Sequence, residues 1–140
     1  MLRLGGYLNI IIAILHVVGL IWADKMFEIT GIADEMKEAA EVVHPLYPYA
    51  LTVIVAVVFF VFGLYGLSAD NKFRKLPYLK PVIFVIAGIY LLRGVGELIF
   101  DIAWQNAQQG LEIAYSLVAI FIGLLFLIGG LKKWKTSTTT

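Results

Sequence analysis

The sequence predicts an all-α protein, a polytopic transmembrane four-helix bundle, and three observations carry that prediction. Of the 140 residues, 61% are hydrophobic and 15% charged, whereas a water-soluble domain is about half apolar and a quarter charged. Four apolar stretches are long enough to cross the roughly 30 Å hydrocarbon layer, which takes about 20 residues of helix. The basic residues outside those stretches fall on one side of the chain. Apolar surface in this amount does not fit inside one small core, because a domain of this size leaves much of its area exposed. The composition therefore excludes an ordinary soluble protein, a disordered chain and a nucleic-acid binder.

The first span is expected over 4–23. Arg3 precedes it in the manner of a secretory signal, but its length and the lack of a small-x-small pattern before Asp24 favour a retained helix. The second span is expected over 46–69, the third over 81–104, where Pro81 suits a first turn, and the fourth over 111–131. Arg3, Lys72, Arg74, Lys75, Lys80, Lys132, Lys133 and Lys135 then share one side, and only Lys25 and Lys37 lie on the other. By the positive-inside rule both termini are cytoplasmic. Trp22, Tyr47, Tyr49 and Trp104 at one boundary, with Tyr65, Tyr78 and Trp134 at the other, supply the expected interfacial aromatics.

Between the first two spans, residues 33–43 place Met36, Ala39, Ala40 and Val43 at helical spacing opposite Asp34, Glu35, Lys37, Glu38 and Glu41. This segment reads as a short amphipathic external helix. Residues 1–135 are expected to form a single domain, and 136–140 a disordered tail. Aligning Tyr49 to Gly63 with Tyr115 to Gly129 matches Tyr49 with Tyr115, Leu51 with Leu117, Ile54 with Ile120, Phe60 with Phe126 and Gly63 with Gly129. That pattern suggests two repeated helical hairpins.

The chemistry is concentrated in the third span, where Arg93, Glu97 and Asp101 recur every four residues and so form one stripe. A charge at membrane depth is costly, so such a stripe is expected to face the bundle interior or a wet cavity, and it is a candidate functional site. At a rise of about 1.5 Å per residue, His16 and Glu97 both lie about 10 Å below the outer boundary, with Arg93 about 6 Å deeper. Asn9 continues the polar track inward from His16, and His44 and Glu112 are possible additions at the outer mouth, with Gln105 nearby. Glu112 is also explained by a helix N-terminus alone, where a carboxylate is favoured.

No cysteine is present, which removes disulfide, thiolate and cysteine-nucleophile chemistry. Ser68 and Ser116 stand in no hydrolase motif, and no phosphate-binding loop occurs. Glu41 and His44 have a Glu-x-x-His spacing, but a di-iron bundle needs a second copy and further carboxylates. His16 and His44 lie at different depths, which fits a shared haem poorly. No metal or cofactor is expected. Gly63, Gly66, Gly88, Gly94, Gly96 and Gly123 read as close-packing positions, and Ala119 with Gly123 as a small-xxx-small pair packing within the bundle.

The segment Phe62 to Glu97, with Gly63-Leu64-Tyr65-Gly66-Leu67-Ser68, Leu76-Pro77 and Tyr90-Leu91-Leu92-Arg93-Gly94, together with His16, resembles small bacterial four-span membrane proteins, DoxX-like in topology. The resemblance implies an architecture and a prokaryotic inner membrane, and names no activity. The functional expectation is a small polar or anionic ligand, or a proton, bound in an outward-facing pocket by His16, Arg93, Glu97 and Asp101, in a transport or sensing role. The alternatives are an accessory subunit of a membrane complex and a metal-dependent membrane enzyme. The lipid bilayer is the expected surrounding, with a homo-oligomer or another chain as a further partner.

Overall fold

The structure, a computed structural model, describes residues 1–104 and 109–135, with the side chains of residues 101, 102, 104 and 109 outside that description. Its helices are α1 Leu2–Gly19, α2 Ala23–Thr30, α3 Ala33–Val42, α4 Tyr47–Ala69, α5 Leu79–Trp104 and α6 Gln109–Lys135. Four helical segments are long and apolar enough to span a membrane: Leu2–Thr30, Tyr47–Ala69, Leu79–Phe100 and Gly110–Lys135. No strand occurs among the described residues. The chain is thus a multi-pass integral membrane protein of the all-α, four-helix class. The tail 136–140 and Gln105 lie outside the described residues.

The chain divides into two compact units, Met1–Leu8 with residues 62–140, and Asn9–Val61. In the first unit the opening turns of α1 wedge between α4 and α6. A Cβ on Gly66 would lie 2.7 Å from the Gly6 Cα, and one on Gly6 would lie 2.9 Å from the Gly63 carbonyl oxygen, so here backbone meets backbone. On the other flank a Cβ on Gly5 would lie 2.8 Å from the Phe126 ring, and one on Gly129 the same distance from the Leu2 side chain. In lipid there is no hydrophobic drive between helices, so van der Waals packing must hold them, and small residues permit the close approach.

Helices α5 and α6 pair along their length. Ile83, Ile86, Ala87 and Tyr90 of α5 and Ala119, Ile122 and Phe126 of α6 are buried, each set recurring at the three- and four-residue spacing of one helix face. A Cβ on Gly94 would lie 2.8 Å from the Ser116 carbonyl, and one on Gly123 2.9 Å from Leu91. Ala119 and Gly123 therefore pack within the chain, as expected. Gly88 and Gly96 differ from expectation, since nothing lies within 4 Å of a Cβ built on either. The repeat is not expressed as equal burial: Phe60 is 47% exposed, whereas its counterpart Phe126 is fully buried.

The α4–α5 connection is closely specified. Helix α4 ends in a Schellman motif, in which Lys72 N–H donates to the Leu67 carbonyl at 2.9 Å and Asn71 N–H to the Ser68 carbonyl at 3.2 Å. Asn71 takes the left-handed conformation this stop requires, with φ 59°, which asparagine tolerates better than most side chains. The buried Ser68 hydroxyl donates to the Arg74 carbonyl at 2.9 Å and accepts the Leu76 N–H at 3.0 Å. Ser68 is thus a loop clamp. Ser68→Ala should cost about 1–3 kcal/mol, because it leaves a shielded donor and acceptor unpaired, and amide exchange at Leu76 should accelerate; unchanged exchange there would reject the clamp.

In the second unit the first span does not stop at residue 23. After one turn of 3₁₀ helix, Leu20–Trp22, the chain re-enters helix as α2 and runs to Thr30. Met26 folds back over Gly19, where its sulfur occupies the space a Cβ would need. Gly31, at φ 77°, then ends α2 in a second Schellman motif, with Ile32 N–H donating to the Phe27 carbonyl at 3.0 Å. Helix α3 follows where the external amphipathic helix was expected, one residue shorter. Met36, Ala39 and Ala40 are half-buried, while Asp34, Glu35, Lys37, Glu38 and Glu41 are exposed. Val43 is 61% exposed and does not join the apolar face.

Candidate functional site

Arg93 and Glu97 sit near the middle and in the later half of α5, four residues apart, and the helical repeat brings their side chains together. The Arg93 Nε donates to Glu97 Oε1 at 2.8 Å. The pair is not enclosed: the two side chains are 55% and 42% exposed. Of the two expected placements, the bundle interior or a wet cavity, the exposure of these side chains is not that of a packed interior. Bonding through Nε is also incomplete satisfaction for a guanidinium, which carries four further N–H donors on its terminal nitrogens. Asp101 lies on the same helix, but its side chain is outside the described residues.

Helix α6 contributes Glu112, one of the possible additions at the outer mouth. Gly94 meets the Ser116 carbonyl, and one turn toward the α5–α6 connection on each antiparallel helix brings Glu97 and Glu112 to a similar level. Glu112 stands in the first turn of α6, where the helix dipole favours it. Its Oε2 is nevertheless shielded from solvent and has no hydrogen-bond partner among the described residues. A shielded, unpartnered polar atom in a folded protein calls for a donor such as water, an ion or a ligand. Sequence alone could not reveal this, because the level of Glu112 against α5 depends on where Gly94 lets the helices touch.

The remaining expected residues belong to the second unit. His16 is half-buried and donates from Nδ1 to the Ile12 carbonyl at 2.8 Å. Because a carbonyl can only accept, the Nδ1 carries the proton, and in the neutral ring Nε2 is an acceptor. The ring packs against Phe59 with centroids 5.2 Å apart. Asn9 is fully buried. His44 is exposed, and its Nδ1 accepts the Leu46 N–H at 3.1 Å, so the ring serves the turn that leads into α4.

No group of three or more His, Asp or Glu side chains converges in metal-binding fashion among the described residues. Compared with protein-family models, curated proteins and solved structures, the chain matches none. Function must therefore be argued from the residues themselves.

Proposed function

We propose that this integral membrane protein binds a small polar or anionic group, or a proton, at Arg93 and Glu97, as a transport or sensing component. The observation that supports it best is the side-on geometry of the pair. Nε is engaged by Glu97 while the terminal nitrogens of an accessible guanidinium retain donors for an incoming carboxylate or phosphate oxygen. Glu97 is the acidic partner, and Glu112 at its level offers an oxygen to any donor the ligand carries. The excess of Lys and Arg on the side of both termini supports cytoplasmic termini, and with them a site that opens outward from a prokaryotic inner membrane.

Proteoliposomes challenged with acetate, phosphate or a pH step, and read by charge displacement on a solid-supported membrane, test this directly. The wild type should respond to at least one challenge. Arg93→Gln should lower an anion response about tenfold or more, the effect of losing a charged hydrogen bond of more than about 1.4 kcal/mol, and Glu97→Gln should remove the pH response. Variants that keep both their melting temperatures and wild-type responses would sink the site.

A second reading is favoured by the same exposure. Leu92, Val95 and Ile99 beside the pair are also exposed, and a helix of another chain laid on this face would bring its own acceptor to Arg93. The protein would then be an accessory subunit. Native mass spectrometry of the crosslinked, detergent-extracted protein separates the two: a stoichiometric foreign partner supports the subunit, and a monomer or homodimer opposes it.

A further inference from the structure

Where α1 begins, α4 ends, α5 begins and α6 ends, eight basic residues gather with one acidic side chain, Asp70, among the described residues. Charge bias of this kind is enough to orient a membrane protein, and orientation needs no particular arrangement. Three of the lysines are nevertheless arranged. A depression of about 790 Å³ is lined by Lys75, Lys80 and Lys133 with Tyr78 and Trp134 and carries no acidic residue, and an adjoining one of about 340 Å³ contains Asp70. Asn71 and Lys133 line both. The sizes fall in the range of small-molecule sites, about 300–1,000 Å³.

We propose that the larger depression is a headgroup site for an anionic phospholipid, with the lipid phosphate held by Lys75, Lys80 and Lys133. The depression stands at the start of α5, a 26-residue helix with no acidic residue in its first turn, where unpaired N–H groups favour a phosphate. The backbone beneath Lys75 is fixed by the Schellman stop at Asn71 and by both bonds of Ser68. Lys133 donates to the Ala69 carbonyl and lies 5.8 Å from the centroid of the Trp134 ring, so its charge is held in place and offsets the negative end of α4. Trp134 in turn packs on Phe84 at 5.9 Å, and Leu76, Leu79 and Pro81 complete an apolar wall along which an acyl chain can descend. Tyr78, 81% exposed, stands at the rim as an interfacial aromatic. Basic pockets between spans at this depth suit anionic headgroups.

The full chain, reconstituted in equimolar phosphatidylglycerol and phosphatidylcholine and extracted in mild detergent, should retain phosphatidylglycerol over phosphatidylcholine by about threefold or more in native mass spectra, the scale of about one lysine–headgroup contact. Lys75→Gln/Lys80→Gln, at two exposed positions, should bring that ratio to about one. Lys133→Gln, which removes the charge but keeps a polar N–H donor, should do the same. Lys72→Gln/Lys135→Gln, which removes as much charge outside the depression, should leave the ratio unchanged. Loss of preference in both double variants alike, or retention after Lys75→Gln/Lys80→Gln, would overturn the site in favour of diffuse attraction. Inorganic phosphate alone raising the melting temperature in lipid-free detergent as far as phosphatidylglycerol does would overturn its assignment to a lipid.

Discussion

Replacing Gly66 with alanine is expected to be among the most damaging single-methyl changes in the chain. The new Cβ would be 2.7 Å from the Gly6 Cα and 2.9 Å from both the Gly6 nitrogen and the Leu2 carbonyl oxygen. All three are backbone atoms, so no rotamer can move aside and one helix must shift. Overpacking of a tight contact costs about 1–3 kcal/mol, and more where backbone has to move. Gly66→Leu should go further and prevent α1 from docking on α4. Gly88 provides the internal control, because open space surrounds its Cβ position. Gly88→Ala should be neutral or stabilising by up to about 1 kcal/mol through helix propensity. Equilibrium unfolding in mixed micelles would rank the two, and equal stabilities would reject the crossing as drawn.

The second large effect concerns the ion pair in α5. Arg93→Ala alone leaves Glu97 as an uncompensated charge within a span, and a lone charge at membrane depth costs about 2.5–3.5 kcal/mol on insertion scales. Arg93→Ala/Glu97→Ala removes both charges and should be more stable than Arg93→Ala, although it carries one more substitution. A double-mutant cycle would then give a coupling of at least about 0.6 kcal/mol, the average of intramembrane hydrogen bonds. Additive losses would mean that the pair is solvated by water, in which exposed ion pairs are worth little. The cycle thus also reports what surrounds the two exposed side chains.

The ion pair was legible in the sequence, because a four-residue interval forces contact on any helix. Its exposure was not. Hydropathy tells a lipid-compatible helix from a soluble one, but a span that is apolar on every side has no stripe to mark which face is packed. For the same reason Gly88 and Gly96 are indistinguishable in sequence from Gly66 and Gly94, and nothing in the sequence marks Gly5, Gly6 or Gly130 as contacts, or Gly129 beyond its place in the repeat alignment. Only the line of contact between helices separates them. Ser68 was unreadable for a different reason, since its partners Arg74 and Leu76 are backbone groups beyond a turn whose path the residues alone do not give. Helix α3 was legible because it has a wet side, and its polar and apolar residues segregate accordingly.

The sequence by itself determined the solvent, the number of spans, the sidedness of charge and the ion pair of Arg93 with Glu97. Each follows from composition or local spacing, which water and hydrocarbon sort without reference to the rest of the fold. The tertiary structure decided which glycines are crossings, that Glu112 stands level with Glu97, and that Lys75, Lys80 and Lys133 meet around one depression. These depend on helix register, which packing sets through contacts far apart in the chain.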